Sequence, residues 1–385
     1  MNKKVAIVTK KMIIGGIEKA LINMIKAMPE DKYEIDLYVI EKGGEFEKYL
    51  PSRVNIINIY GDEKSIFEKV VVRLKKLKFL EIIKILYYYS IMFSKKISWE
   101  EEQDYLLRIA PKIKKKYDIA IAYTTFGSPI IKYTIKYLKS NEKINWIHGD
   151  IDEFEVEYNR MKIYSNYFDK IYCVSRDAKD KFLKKNKDLE SKVDVFYNLI
   201  DLENIKKLSN SEGFCDKDFQ GQRILTVGRL AEEKNQIIIP DVLEKILNSG
   251  YDVKWYLVGD GPLYHKLKEI IKMKNLEKKL ILLGAKENPY PYFKECDIYV
   301  QTSKHEGYCI TLAEAKFLCK PIITTEFVGS FEQIQNMKNG ILVKQSIESI
   351  ALGINMILDN DNLKKKFINN LKKEINYNVP SKIEF

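Results

Sequence analysis

Two glutamates separated by seven residues lie on either side of a glycine loop in the stretch 304–321, KHEGYCITLAEAKFLCKP. The preceding run DIYVQT predicts a buried strand, and a helix is predicted to begin near residues 309–311. A strand that leads through a glycine loop into a helix presents free backbone N–H groups, and the helix dipole favours an anion there. Carboxylates do not bind phosphate, so we expect Glu306 and Glu314 to bind hydroxyl groups of the same ligand. The stretch therefore predicts a nucleotide-sugar site.

The same stretch also fits a purely structural role. Thr311 and Glu314 have the spacing of a capping box, in which the glutamate only satisfies the start of the helix. Residues in other parts of the chain have to decide between the two roles.

Two cations follow another predicted strand, residues 223–227. In the segment VGRLAEEKN, Gly228 precedes Arg229, and Lys234 lies five positions further on. Arginine as a planar fork and lysine as a point charge are suited to bind one diphosphate. A chain with 65 Lys and Arg residues contains many such pairs. The glycine turn VGDGP at residues 258–262 also follows a strand, and its alternative role is a simple turn.

Candidate residues also follow strands in the first half of the chain. Gly15 and Gly16 precede the first predicted helix, where missing side chains allow close approach to a ligand. His148 comes directly after the predicted strand 144–147, and we expect it to bind a sugar hydroxyl or to position an acceptor. The alternative is a satisfied structural histidine.

No metal or cofactor is expected. Asp150 and Asp152 form an Asp-x-Asp pair, but the same pattern recurs at Asp216 and Asp218. Nothing near Asp150 completes a set of oxygen ligands for a divalent ion.

Length and composition indicate a cytosolic protein with two α/β domains. A chain of 385 residues exceeds one ordinary core, and no apolar run approaches a membrane span or a signal peptide. Five scattered cysteines indicate reduced thiols. Short apolar strands alternate with helices in two series, which predicts two parallel sheets. We place the first lobe at residues 1–198 and the second at 199–364, and we expect a C-terminal helix, about 365–385, to pack back on the first lobe.

The stretch 65–96 is rich in lysine and interleaves its cations with apolar and aromatic residues at near-helical spacing. This pattern is typical of a basic amphipathic surface that rests on an anionic membrane. The alternative is an ordinary pair of docked helices with solvated lysines. Nucleic acid is not an expected partner, because no binding motif accompanies the charge.

Taken together, these motifs resemble the retaining GT-B glycosyltransferases, a family whose hallmark is two glutamates separated by seven residues. The order VGRLAEEKN, VGDGP, EGYCITLAEA and KPIITTE matches the family over about residues 222–343. The first half matches more loosely, through GGIEKAL at residues 15–21, WIH at 146–148 and YCVS at 172–175. NLID at 198–201 is similar to the segment between the family's two lobes.

The resemblance implies two Rossmann-like lobes that face a central cleft, with acceptor binding in the first lobe and donor binding in the second. Arg229 and Lys234 would neutralise the donor diphosphate, and Glu314 would hold the ribose hydroxyls. Glu306 would lie against the donor sugar, and His148 would reach one of its hydroxyls. The remaining donor contacts implied are the backbone of Gly16, the amides of Gly307, Tyr308, Cys309 and Ile310, and a nucleobase site near Gly284 and Ala285.

The implied activity is retaining transfer of a hexosyl or N-acetylhexosaminyl group, with a UDP-sugar as the expected donor. We expect a lipid-linked saccharide acceptor in capsule or other surface-polysaccharide synthesis, and peripheral association with the inner face of the cell membrane. A protein or diacylglycerol acceptor would use the same basic surface. The alternative from another class is a catalytically silent GT-B-like partner subunit of an active glycosyltransferase.

Overall fold

The computed structural model describes residues 2–63, 65–94, 96–125, 129–149, 163–374 and 383–385. Within these residues the strands form two sheets, and every strand pair in either sheet is parallel. Helices cover both faces of each sheet. The protein is therefore built from two α/β lobes.

The first lobe contains a sheet with the described strands in the order β3-β2-β1-β4-β5-β6-β7. The strands are β1 (Lys3–Thr9), β2 (Tyr33–Val39), β3 (Asn55–Asn58), β4 (Lys116–Ala122), β5 (Lys139–Ile147), β6 (Lys170–Cys173) and β7 (Val193–Val195). The described helices are α1 (Gly16–Ala27), α2 (Ile66–Lys75), α3 (Phe79–Ser94), α4 (Trp99–Ile109), α5 (Pro129–Lys136) and α6 (Arg176–Lys185).

The second lobe contains a sheet with strand order β10-β9-β8-β11-β12-β13. The strands are β8 (Gln222–Val227), β9 (Val253–Val258), β10 (Leu280–Gly284), β11 (Ile298–Gln301), β12 (Ile322–Thr325) and β13 (Ile341–Val343). The helices are α7 (Leu202–Leu208), α8 (Ile239–Asn248), α9 (Tyr264–Met273), α10 (Tyr290–Glu295), α11 (Ile310–Phe317), α12 (Ser330–Gln333), α13 (Ile347–Leu358) and α14 (Asp361–Glu374).

The short apolar strands fold as sheet centres because both of their faces are covered. In the first lobe, Val8 packs in the core on one side of the sheet and Ile7 packs in the core on the other. In the second lobe, Ile224 packs in the core on one side of the sheet and Leu225 packs in the core on the other. Successive side chains of a strand point to opposite faces, so a strand buried on both faces has a continuous apolar sequence.

In each sheet the strand order reverses direction beside the first strand, at β1/β4 in one lobe and β8/β11 in the other. Ligands of open parallel sheets bind outside the carboxyl ends of the strands at this switch point. The ends of β1, β5, β8, β10 and β11 and the loops after them carry the candidate residues. The topology therefore gathers residues that are far apart in sequence at two facing sheet edges.

The C-terminal helix packs differently from our prediction. Helix α14 spans Asp361–Glu374 and inserts Phe367 and Leu371 into the cores of the second lobe, not of the first. Its apolar residues at i and i+4 form one stripe, and that stripe covers the second lobe. Only the terminal segment reaches the first lobe, where Ile383 is buried and its N–H donates to the Ala27 carbonyl over 3.0 Å.

The basic stretch forms the helices α2 and α3, and two of its cations face inward. Lys69 and Arg73 are buried: the Lys69 ammonium donates to the Tyr60 carbonyl over 2.7 Å, and Arg73 pairs with Glu63. These two cations are therefore not part of the predicted basic amphipathic surface, because their side chains dock α2 on the lobe. Among the described residues, no helix is both long and apolar enough to cross a membrane.

Candidate functional site

The Glu306 carboxylate lies in the loop after β11, where it is the centre of a polar network. Its Oε1 is 2.6 Å from the Lys234 ammonium and accepts hydrogen bonds from Ser303 Oγ over 2.8 Å and Gln301 Nε2 over 3.3 Å. The Glu306 side chain is only 9% exposed. Three donors hold the carboxylate in place, so it is preorganised at the sheet edge before any ligand arrives.

Lys234 reaches Glu306 from the loop after β8. A 3₁₀ turn, Glu232–Lys234, positions it, and its carbonyl accepts a hydrogen bond from Thr302 Oγ1 over 2.9 Å. Burial alone would lower the pKa of the Lys234 ammonium, but the Glu306 carboxylate outweighs burial and holds that pKa above its usual value. Lys234 is therefore a fixed positive charge at the centre of the site.

Arg229 occupies a different environment from Lys234. Its side chain is 64% exposed, and its guanidinium lies 2.6 Å from the Glu233 carboxylate. The two predicted diphosphate ligands thus bond to separate carboxylates. A diphosphate that used both cations would compete with Glu233 for the first and with Glu306 for the second.

Helix α11 begins beside this network. Cys309 precedes the helix in the left-handed region, with φ of 61°, and the Gln333 side chain donates to the Tyr308 carbonyl. Gly307 approaches the other lobe so closely that a Cβ atom there would lie 2.2 Å from the His148 carbonyl oxygen. The predicted amides of residues 307–310 therefore lie at the contact between the lobes.

Glu314 is fully buried, and it does not form the capping box. Its Oε1 accepts from the Lys19 ammonium over 2.8 Å and from the Tyr290 hydroxyl over 3.0 Å, and its Oε2 has no hydrogen-bond partner among the described residues. Lys19 belongs to α1 of the first lobe. The structural alternative of a helix cap is wrong, because the carboxylate points to the cleft and pairs across it.

His148 is only 8% exposed, and both of its ring nitrogens lack a hydrogen-bond partner among the described residues. The Tyr123 ring lies 4.3 Å from the imidazole, measured between centroids. Burial lowers the pKa of His148 to about 3, so its ring is neutral at physiological pH. A neutral, unpartnered imidazole offers one donor and one acceptor to a ligand hydroxyl.

The glycines of the candidate site lie where loops or lobes meet. Gly16 faces Ile310 of the other lobe, and a Cβ atom on it would lie 3.5 Å from the Ile310 Cδ1. The N–H of Gly228 donates to the Val258 carbonyl, and the N–H of Gly259 donates to that of Gly284, each over 2.9 Å. These two bonds join the loops after β8, β9 and β10 into one edge.

The predicted nucleobase residues and the first glycine lie at the rim of this arrangement. Gly284 has φ of 73° with open space around its Cα, and the adjacent Ala285 is exposed. Gly15 precedes α1 and lies against the carboxyl group of Glu18.

Asp150 and Asp152 fall outside the described residues. Among the residues that the structure does describe, no group of three or more His, Cys, Asp or Glu side chains is arranged to hold a metal.

Comparison with solved structures decides the fold. The crystal structure of Anabaena HepE in complex with UDP-glucose superposes with a TM-score of 0.69 at 17% sequence identity, covering 97% of this chain and 94% of that one.

The chain has the GT-B fold.

The similarity in sequence is concentrated in part of this GT-B chain. Residues 216–374 match the family described as glycosyl transferases group 1. The N-acetylgalactosamine-N,N'-diacetylbacillosaminyl-diphospho-undecaprenol 4-alpha-N-acetylgalactosaminyltransferase of Campylobacter jejuni is 32% identical over 183 residues, which are 47% of this chain and 48% of that protein. The chain thus spans about half the length of that relative. A second relative is the UDP-Gal:alpha-D-GlcNAc-diphosphoundecaprenol alpha-1,3-galactosyltransferase of Escherichia coli. It is 21% identical over an alignment that covers 99% of this chain and 95% of that protein.

Three residues of the GT-B cleft were not among our predictions. Lys19 and Tyr290 bind Glu314, and Glu18 lies at the start of α1. The sequence carried a signal for Lys19 and Glu18, since both lie within three positions of the Gly15-Gly16 pair that follows β1. No local pattern marks Tyr290, which reaches Glu314 only through the packing of α10 against the strand-end loops.

We predict that His148 makes the protein sensitive to acid. Its folded pKa of about 3 lies below the unfolded value of about 6.5, so below about pH 6.5 only the unfolded state binds the proton and the free energy of unfolding falls. Between about pH 7.5 and pH 5 this loss amounts to about 2 kcal/mol. Urea denaturation at both pH values should show it in the wild type and not in His148→Gln.

His265→Gln is the matched control, because His265 is exposed on the second lobe. It should keep the acid sensitivity of the wild type. Equal sensitivity of His148→Gln and the wild type would contradict a buried, neutral His148.

Proposed function

We propose that this protein is a retaining glycosyltransferase that moves a hexosyl or N-acetylhexosaminyl group from a UDP-sugar to a lipid-linked saccharide. The observation that carries the proposal is the partly buried ion pair of Glu306 and Lys234, 2.6 Å apart and with side chains 9% and 22% exposed, at the carboxyl edge of the second sheet. Burial of two charges is costly unless they are well bonded. A pair kept at a sheet edge in a cleft, beside a helix N-terminus, is suited to bind sugar and phosphate.

The cations supply the electrostatic part of the mechanism. When the anomeric C–O bond breaks, negative charge develops on the departing diphosphate and the sugar becomes oxocarbenium-like. Lys234 and Arg229 neutralise the diphosphate, and fixed charges placed where the charge develops stabilise the transition state. We propose that the reaction needs no bound metal, because these two cations carry its charge.

The carboxylates and His148 position the donor. Glu314 holds the ribose hydroxyls, since its Oε2 has no described protein partner and its Oε1 is already fixed by Tyr290 and Lys19. Glu306 lies against the transferred sugar, and His148 hydrogen-bonds one of its hydroxyls. Retention follows if the acceptor attacks from the side of the leaving group, with a phosphate oxygen taking the acceptor's proton.

The names of similar proteins support the choice of donor and acceptor. The Campylobacter and Escherichia coli relatives are named for acceptors linked to undecaprenol through a diphosphate, and the second is named for a UDP-Gal donor. HepE was crystallised with UDP-glucose. We propose the same classes for this chain, in the synthesis of a capsule or another surface glycan.

The exposed surface of α2 and α3 supports a lipid-linked acceptor. Large apolar side chains there are exposed to solvent, including Phe67 at 77% and Leu80 at 84%. Exposed lysines accompany them: Lys75, Lys76, Lys78 and Lys84. Contiguous exposed apolar surface marks an interaction site, and added lysines favour an anionic lipid headgroup. We propose that this surface, named here the α2/α3 surface, rests on the inner face of the cell membrane.

We predict selective binding of UDP over GDP and ADP, measured by calorimetry. Charge-assisted hydrogen bonds contribute roughly 1.5–3 kcal/mol each, so Arg229→Ala/Lys234→Ala should weaken UDP binding by roughly 100-fold or more. The matched control is Lys266→Ala/Lys268→Ala, which removes two exposed cations of the same lobe. Tight binding of GDP or ADP would indicate a donor sugar that carries that nucleotide instead of UDP. If no nucleotide binds, the alternative of a catalytically silent partner subunit is favoured.

We predict that Glu306→Gln loses glycosyl transfer by roughly 100-fold or more while it still binds UDP, because a sugar contact that matters in the transition state is removed. The assay measures incorporation of radiolabel from UDP-glucose, UDP-galactose and their N-acetylhexosamine counterparts into a bacterial membrane lipid extract. Glu212→Gln, in an exposed loop of the same lobe, is the control. Near-normal turnover of Glu306→Gln would refute the role.

We predict that replacing Lys75, Lys76, Lys78 and Lys84 with serine releases the protein from anionic liposomes. Each lysine near an anionic surface contributes about 1 kcal/mol, so binding should fall by roughly 100-fold or more. Co-sedimentation with phosphatidylglycerol vesicles measures it. Serine replacements at the exposed Lys266, Lys268, Lys272 and Lys278 serve as the control. If the two variants co-sediment equally, the α2/α3 surface does not bind the membrane.

A further inference from the structure

Lys19 is a first-lobe residue that reaches across the cleft to the second lobe. It lies in α1, and its ammonium is 2.8 Å from the Glu314 Oε1. The same ammonium lies over the Tyr290 ring, 4.7 Å from its centroid, and the Tyr290 hydroxyl donates to the same Glu314 oxygen over 3.0 Å. One side chain of α1 thus contacts a residue of α10 and a residue of α11.

The pair of Lys19 and Glu314 is largely removed from water. The Glu314 side chain is 1% exposed and that of Lys19 is 21% exposed. A carboxylate buried to this extent is costly unless a cation and further donors compensate it. Tyr290 supplies a hydrogen bond but no charge, so the compensating positive charge comes from Lys19 of the opposite lobe.

The two oxygens of the Glu314 carboxylate have different surroundings. Oε1 accepts from both Lys19 and Tyr290, whereas Oε2 has no hydrogen-bond partner among the described residues. Because two donors hold Oε1, the carboxylate plane is fixed and Oε2 points in one direction. In the function proposed above, the ribose hydroxyls bind there. Lys19 therefore helps to orient the acceptor atom for the ribose, although it belongs to the other lobe.

A second contact between the lobes lies close to Tyr290 in the sequence. Glu287, in the loop between β10 and α10, accepts from the Tyr49 hydroxyl over 2.7 Å and lies 2.7 Å from the Lys48 ammonium. Lys48 and Tyr49 belong to a 3₁₀ turn of the first lobe. The first lobe thus contacts the region around α10 at two places, which brings the start of α1 against Glu314.

An alternative role for Lys19 is direct binding of the donor diphosphate, as proposed for Lys234. When Lys234 turns to a phosphate, Glu306 keeps two other described donors. If Lys19 turned away in the same manner, the fully buried Glu314 would keep only the Tyr290 hydroxyl among the described residues. Removing one partner of a buried ion pair is strongly destabilising. The contacts therefore favour a Lys19 that stays on Glu314.

Resting on the glycosyl transfer proposed above, we propose that Lys19 is a positioning residue for the donor: it holds Glu314 across the cleft so that the second oxygen of that carboxylate binds the ribose. Lys19 itself does not contact the donor in this role. Recognition of the ribose is then a property of both lobes together. It is complete only when the first lobe lies against the second, so the protein distinguishes a ribonucleotide in the closed cleft.

The test compares the affinity for UDP with that for 2′,3′-dideoxy-UDP, which lacks both ribose hydroxyls, by calorimetry. Hydrogen bonds to a charged group are strong enough to change an affinity roughly 10-fold or more, so the wild type should prefer UDP by at least that ratio. In Lys19→Met we expect the ratio to fall to roughly 3-fold or less, because the Glu314 carboxylate has lost its compensating charge and is no longer held in one orientation.

Lys26→Met is the matched control. Lys26 lies on the same helix, and its ammonium is 3.8 Å from the carboxylate of Asp201, which caps α7 of the second lobe. The control removes the same charge from α1 and a pair of the same type, so it should keep the wild-type ratio. Lys19→Arg keeps the charge and should recover most of the ratio. Lys19→Gln, with the same fall expected, is the second variant in case Lys19→Met does not fold.

The ratio separates this role from others. An equal loss of affinity for both nucleotides in Lys19→Met, with the ratio unchanged, would overturn the assignment in favour of a diphosphate ligand or a purely structural residue. Wild-type affinity for both nucleotides in that variant would overturn it as well, and in both cases the proposed function stands. If the wild type binds the two nucleotides equally, the ribose role of Glu314 fails and the role of Lys19 with it. If the wild type binds neither, the nucleotide donor of the proposed function fails first.

Discussion

The site depends on a contact that contains no side chain. Gly307 meets the His148 carbonyl across the cleft at a distance that excludes even a methyl group. Because the two backbones touch there, the loop after β11 lies directly against the end of β5. The α1 start, the α11 start and the strand-end loops of both sheets then converge on a single cleft. A larger residue at position 307 would separate the lobes and, with them, every pair of residues that meets across the cleft.

One ion pair and two hydrogen bonds between the lobes complement this backbone contact. Lys19 of the first lobe bonds to Glu314 of the second over 2.8 Å, and the Glu332 carboxylate accepts from the Tyr197 hydroxyl and the Asp177 N–H, each over 2.8 Å. Lys234 and Arg229 each have a carboxylate of their own lobe. The charges of the cleft are thus balanced by the protein. A polyanionic ligand has to exchange these partners, which favours ligands that bring hydroxyl groups for the carboxylates together with phosphates for the cations.

Much of this arrangement can be predicted from local sequence. Strands such as β1 and β9 are short apolar runs, and a strand buried on both faces has that pattern in any context. The position of Glu306, Lys234 and His148 at a sheet edge follows from the same rule, since each comes directly after a strand or in its following loop. The two-lobed GT-B fold was predicted from these patterns and the motif order, and it is confirmed.

Pairings between distant parts of the chain could not be predicted in the same way. Lys19 and Glu314 are 295 positions apart, and only the facing of two sheets brings them together. Lys69 and Arg73 have the local pattern of solvated cations, yet Tyr60 and Glu63 draw them inward. Helix α14 has an apolar stripe, but the pattern alone does not show which lobe that stripe covers, and in the structure it covers the second. In each case the sequence specifies an apolar or charged surface, and only the folded structure shows what that surface packs against.

The path of the chain sets how the lobes can move. Leu199 packs in the first lobe and Ile200 against the second, so the chain passes between the lobes there. Farther along the chain, α14 packs on the second lobe and Ile383 is bonded to Ala27 of the first, so the chain links the two lobes a second time. The line between these two covalent crossings defines a possible axis of rotation for the lobes. We therefore expect relative motion of the lobes to be mainly rotation about the line that joins the two crossings.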